Sequence, residues 1–109
     1  MITIEDVEKA LNYLGGSDEN YAMAKARFIY EGQNIKTVRS LAFLEATAGT
    51  VADRTACSET SEAYRAALSS YRDSAYEYER IRAKRLTAEL QIELWRSISS
   101  ARNHGQIVS

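Results

Sequence analysis

Apolar residues recur at helical spacing from Ser61 to Arg102, a stretch of 42 residues with neither glycine nor proline. At about 1.5 Å per residue, one helix over that span would be about 60 Å long. Such a rod needs a second long helix, another copy of the chain or a partner against it. Upstream, Thr3 and Asp6 form a capping pattern, with a hydroxyl for the free N–H groups and a carboxylate at the positive helix end. The spacing predicts a short helix over residues 4–14 whose apolar face is Val7, Leu11 and Leu14, ended by Gly15-Gly16.

Ser17 and Asp18 can then cap a second helix, over 18–48, in which Gly32 offers a place for a kink or break at about 1 kcal/mol relative to alanine. This helix carries two apolar lines. Met23, Tyr30, Thr37, Leu41, Leu44 and Ala48 form one, and Phe28, Ile35, Val38 and Ala42 the other. Two lines call for two neighbours. Gly49 and Thr50 make a turn, Thr50 with Asp53 repeats the capping pattern, and Arg54 can reach back to the last carbonyls of the preceding helix or to an acidic neighbour. A connector over 50–58 leads to Ser58, Thr60 and Ser61 as caps for a long helix over 61–102, which His104-Gly105 ends; Ile107, Val108 and Ser109 form a frayed tail.

The fold expected is all-α: an elongated, coiled-coil-like antiparallel hairpin of two long helices plus a short N-terminal helix, forming a single domain over residues 1–109.

In the last helix, Tyr64, Leu68, Tyr71, Ala75 and Tyr78 alternate in fours and threes, and the next two places on that count are Arg82 and Arg85. Apolar character then divides between Ile81, Ala88, Ile92 and Trp95 on one side and Ala83, Leu90, Leu94, Ile98 and Ala101 on the other. Either the helix rolls and both arginines lie on a wet rim with packed stems, or they are enclosed and must meet carboxylates or a phosphate. Glu31 and Glu45 are the partners the chain offers in the second case.

The run Arg80-Ile81-Arg82-Ala83-Lys84-Arg85 invites a nucleic-acid reading, with Tyr76 and Tyr78 as stacking faces. The charges do not form one stripe. At about 100° per residue Lys84 falls about 40° from Arg80, whereas Arg82 and Arg85 fall about 200° and 140° away. Glu77 with Arg80 and Glu79 with Arg82 stand at i,i+3 and would partly neutralise the patch. Trp95 is either a core anchor or an interface hot spot, and the line of the preceding helix that runs from Met23 to Ala48 makes Leu41 and Leu44 interface candidates.

The net charge of −1 argues against binding nucleic acid by bulk charge. Its distribution is uneven. Residues 1–31 hold six acidic against three basic side chains, a balance of −3, and residues 80–102 hold six basic against two acidic, a balance of +4. An acidic start could pair with a basic end within one molecule or between two, and a thin core favours a homo-oligomer.

The single cysteine, Cys57, excludes an intramolecular disulfide and a cysteine metal cluster. His104 is the only histidine, no Glu-x-x-His pattern occurs, Glu89 and Glu93 keep company with Arg85 and Arg96, and Gly15-Gly16 lacks the context of a phosphate loop. These features argue against catalysis, a cofactor or a metal. With neither a signal-like start nor an apolar run of membrane-spanning length, the chain reads as cytoplasmic and not membrane-bound.

Residues Thr50-Val51-Ala52-Asp53-Arg54-Thr55-Ala56, with Tyr64, Leu68, Tyr71, Tyr76-Glu77-Tyr78-Glu79, Arg82, Ala88-Glu89, Ile92-Glu93 and Trp95-Arg96-Ser97, resemble a group of small uncharacterised helical proteins encoded by tailed bacteriophages. The resemblance covers roughly residues 50–98. It implies a host-cell cytoplasmic setting and, from the genes such proteins travel with, an accessory role in phage DNA replication or recombination; it carries over no catalytic residue. Three functions follow as expectations. The first is a non-enzymatic accessory that contacts single- or double-stranded DNA through Tyr76, Tyr78, Arg80, Arg82, Lys84 and Arg85. The others are an adaptor or inhibitor that binds a host or phage protein, and a virion structural or assembly component.

Overall fold

The computed structural model describes every residue except Thr47, Ala48 and Ser109, and for residues 104–108 it describes the backbone alone. The described residues form three helices and no strand: α1 over Ile4–Glu45, α2 over Val51–Thr60 and α3 over Glu62–Val108. The all-α class stands, with two corrections to its parts.

Both concern glycines. α1 is one helix through Gly15-Gly16 and Gly32, so the separate N-terminal helix and the break at Gly32 do not occur. Gly49, with φ of 90°, is the only described residue at positive φ, so Gly15 and Gly16 hold helical backbone at a propensity cost that packing on either side offsets. Likewise α3 continues through Gly105 to Val108 instead of ending at His104-Gly105. The side-chain roles expected of His104 and of the tail, and the place of Ala48 at the end of α1, lie outside the described residues.

The chain divides into two compact units, one of Met1–Tyr21 with Arg80–Ser109 and the other of Ala22–Glu79. In the first, the start of α1 packs on the end of α3. Val7, Ala10, Ile81 and Ala88 are its buried apolar residues and Ser17 its buried polar one. In the second, the Phe28 ring stacks on Tyr78 with centroids 5.2 Å apart and meets Tyr71 edge-on at 5.4 Å. Ala67, Ser74 and Ser58 are buried there.

Counted along α3, the buried positions are Ala67, Ser74, Ile81 and Ala88, each seven residues from the last. Half-buried Tyr64, Tyr71, Tyr78 and Arg85 each precede one of them by three. This is an a/d heptad register. α1 matches it with Val7, Leu14, Tyr21, Phe28, Ile35 and Ala42 on one line and Ala10, Ser17, Ala24, Glu31 and Val38 on the other, all buried or half-buried. The expected line through Leu68, Ala75 and Arg82 is therefore one residue late at every second place. Seven of these nineteen seam residues are alanine or serine, small enough to bring two helix backbones close but weak as a hydrophobic signal.

The corner is built as its residues predict. The Thr50 N–H donates to the Asp53 carboxylate at 3.0 Å and the Asp53 N–H donates to the Thr50 hydroxyl at 3.2 Å, a complete capping box. Arg54 donates from Nη2 to the Phe43 carbonyl at 3.1 Å and lies over the Phe43 ring at 4.5 Å, tying α2 to the last turns of α1. Of the three caps proposed for α3, Ser61 is the one used: its hydroxyl accepts from the Tyr64 N–H at 3.1 Å.

Candidate functional site

Arg85 occupies a seam position in the first unit, where it meets residues from two successive turns of α1. Its Nη1 donates to the Leu14 carbonyl at 2.9 Å and to the Ser17 hydroxyl at 2.8 Å. Nη2 meets the Asp18 carboxylate at 2.8 Å, and the guanidinium lies over the Tyr21 ring at 4.9 Å. Of the two readings of the arginines, enclosure holds for Arg85, whose side chain is 17% exposed, and the wet rim for Arg82, which is exposed. The partner carboxylate is Asp18, where the sequence had offered Glu31 and Glu45. A correct seam count points to it, because an arginine at a heptad a position faces the antiparallel helix one turn around Ser17.

The residues expected to contact nucleic acid differ in exposure. In the second unit Tyr76 is 70% exposed, while Tyr78 is half-buried with its ring committed to Phe28. In the first unit Lys84 is exposed, Arg80 is half-buried and Arg85 is held by α1. Two of the six thus serve packing within their own units.

The apolar residues that the seam leaves out form the other notable surface. On α3, Leu86, Leu90 and Leu94 follow one another at four-residue steps and are 54%, 60% and 51% exposed. At about 100° per residue they point roughly opposite to Ile81 and Ala88. In the same unit Ile4 and Leu11 stand exposed on α1, so Leu11 does not belong to the buried face expected of it. In the second unit the outer line of α1 is Met23, Tyr30, Leu41 and Leu44, all exposed. Trp95 is half-buried at a seam position, on the side of an anchor. Leu86 and Ile4 escaped the sequence reading, although Leu86 stands four residues before Leu90, a signal in plain view.

Cys57 is exposed. Among the described residues no group of three or more histidine, cysteine or acidic side chains could hold a metal ion, and no helix is long and apolar enough to cross a membrane. Comparison with protein families, with curated proteins and with solved structures finds no match to this chain.

Proposed function

We propose that this protein is a non-enzymatic adaptor that works by binding other protein chains along the outer apolar lines of its long helices. One observation carries the reading: each long helix bears two apolar lines, and only one of each is used by the chain's own seam. A helix face with leucines at i, i+3, i+4 or i+7 is what a partner helix or groove recognises. In the second unit Leu41 and Leu44, with Tyr30, supply such a face. The commitment of Arg85 to Asp18 and of Tyr78 to Phe28 favours protein over DNA as the partner. A phage setting rests on the resemblance of residues 50–98 alone.

The test compares wild-type protein with Leu41→Glu plus Leu44→Glu in affinity capture from the host, beside fluorescence anisotropy with labelled single- and double-stranded oligonucleotides across a salt series. Capture abolished by the double variant at unchanged helicity supports the adaptor. Salt-sensitive oligonucleotide binding that survives the variant overturns it in favour of the DNA-accessory reading.

A further inference from the structure

Within the second unit a cleft of about 360 Å³ opens between α1 and α3, at the lower end of the roughly 300–1,000 Å³ of small-ligand pockets. Tyr64, Leu68 and Tyr71 of α3 form one wall and Gly32, Lys36 and Arg39 of α1 the other. The tyrosines stand seven residues apart, about 10 Å along the helix, with Leu68 between them. Gly32 keeps the Tyr71 end open. A Cβ there would lie 3.9 Å from Tyr71 Cε2, so a longer side chain would run into the space beside that ring.

The two cations on the wall are uncommitted. The side chains of Lys36 and Arg39 make no hydrogen bond or ion pair among the described residues. Three and four residues from either, α1 offers glycine, glutamine, serine and apolar residues but no carboxylate. α1 has no acidic residue between Glu31 and Glu45, and α3 has none between Glu62 and Asp73. Arg39 also borders a second cleft, where Glu59 of α2 is the carboxylate on hand, yet these two form no salt bridge. Both cations are exposed, so an anion reaches them from solvent.

Like charges three residues apart on a helix repel, and an anion between them relieves that cost. A phosphate monoester carries about −1.5 to −2 charges at neutral pH, which matches the pair, and the arginine fork fits phosphate oxygens. The tyrosine rings and Leu68 suit a flat ring system, which packs well against aromatic side chains. We infer that this cleft binds a ligand the size of a mononucleotide: a phosphate monoester of a planar ring system, its phosphate held by Lys36 and Arg39 and its ring over Leu68 between Tyr64 and Tyr71. The site uses none of the outer apolar residues on which the protein-binding reading rests, so either can fail alone.

The test is isothermal titration calorimetry on the full chain at low salt with adenosine monophosphate, adenosine, inorganic phosphate and a short 5′-phosphorylated single-stranded oligonucleotide. Adenosine monophosphate should bind at least about tenfold more tightly than adenosine or phosphate, each of which lacks one half of the contact. Lys36→Ala plus Arg39→Ala should abolish that binding at unchanged helicity, and Gly32→Leu should abolish it by filling the Tyr71 end. Lys25→Ala plus Arg27→Ala removes the same charge from exposed positions of the same helix and should leave binding unchanged. No binding of adenosine monophosphate overturns the inference. So does equal affinity for inorganic phosphate, or a loss in the Lys25 and Arg27 variant as great as in the Lys36 and Arg39 variant. Oligonucleotide binding that is about tenfold tighter than the mononucleotide's also overturns it, by assigning the cleft to nucleic acid. Should Gly32→Leu lose helicity, Tyr64→Leu replaces it, removing a ring while keeping apolar bulk, with the same loss expected.

Discussion

Arg85 and Asp18 meet at 2.8 Å across the two long helices, and they meet unequally: the arginine side chain is 17% exposed and the aspartate 67%. The aspartate is solvated whether or not the arginine is there. The arginine carries more, because it also bonds the Leu14 carbonyl and Ser17 hydroxyl and packs its stem in the seam. We expect Asp18→Asn to cost under about 1 kcal/mol, the range of a screened surface pair. Arg85→Ala should cost about 2 kcal/mol or more through lost hydrogen bonds and packing. Urea unfolding of the two variants against wild type checks the ratio; equal costs would assign the stabilisation to the ion pair alone.

Glycine positions separate cleanly. A Cβ at Gly15 or Gly16 would meet nothing within 4 Å, and both sit in the interior of α1. Alanine at either should stabilise by about 0.5–1 kcal/mol and raise the melting temperature by several degrees. Gly49 behaves oppositely. Its φ is 90° and a Cβ there would collide with the Asp53 carboxylate, so Gly49→Ala should lower the melting temperature by straining the turn and breaking the α2 capping box.

Ser74 is 1% exposed and its hydroxyl donates to the Tyr71 carbonyl of its own helix at 2.7 Å. It asks nothing of the facing helix but to be small. Ser74→Ala should therefore lie within about 0.5 kcal/mol of wild type, whereas Ser74→Leu should cost about 1–3 kcal/mol by forcing the helices apart. Thermal melts of the pair decide whether size or the hydroxyl matters.

Asp6 caps α1 together with Thr3. The Thr3 N–H donates to its carboxylate at 2.9 Å and the Asp6 N–H donates to the Thr3 hydroxyl at 3.2 Å. These bonds, the backbone one foremost, hold the Asp6 carboxyl below its usual value of 3.8. A carboxyl more acidic in the folded state stabilises fully above the unfolded value and loses that stabilisation as pH falls through the folded one. Wild type should thus melt above Asp6→Asn at neutral pH, and the difference should shrink in strong acid. A difference independent of pH would mean that the carboxylate charge plays no part.

Much of the fold was legible because its signals are local. Thr3–Asp6 and Thr50–Asp53 capping, the Gly49 turn and the reach of Arg54 to the end of α1 each depend on residues a few places apart. The glycines misled for a physical reason: their helix penalty is about 1 kcal/mol, which a long packed helix absorbs, so only Gly49, the one at positive φ, lies outside a helix. The seam was harder to read because Ala67, Ser74 and Ala88 carry little hydrophobic weight, and Leu68 and Ala75 beside them drew the count one residue aside. That slip placed Arg82 and Arg85 on one line, when the helices separate them. The division of each long helix into two apolar lines was legible; which line the chain keeps for itself required the register.

That division is tested most directly by neighbours two residues apart on α3. Ala88 is 3% exposed in the seam and Leu90 is 60% exposed on the outer row, so Ala88→Asp and Leu90→Asp place the same charge on opposite faces. Circular dichroism of dilute protein at room temperature should show helicity lost or sharply reduced for Ala88→Asp and retained for Leu90→Asp. The reverse order, or equal loss from both, would contradict a seam through Ala88 and an outer face at Leu90.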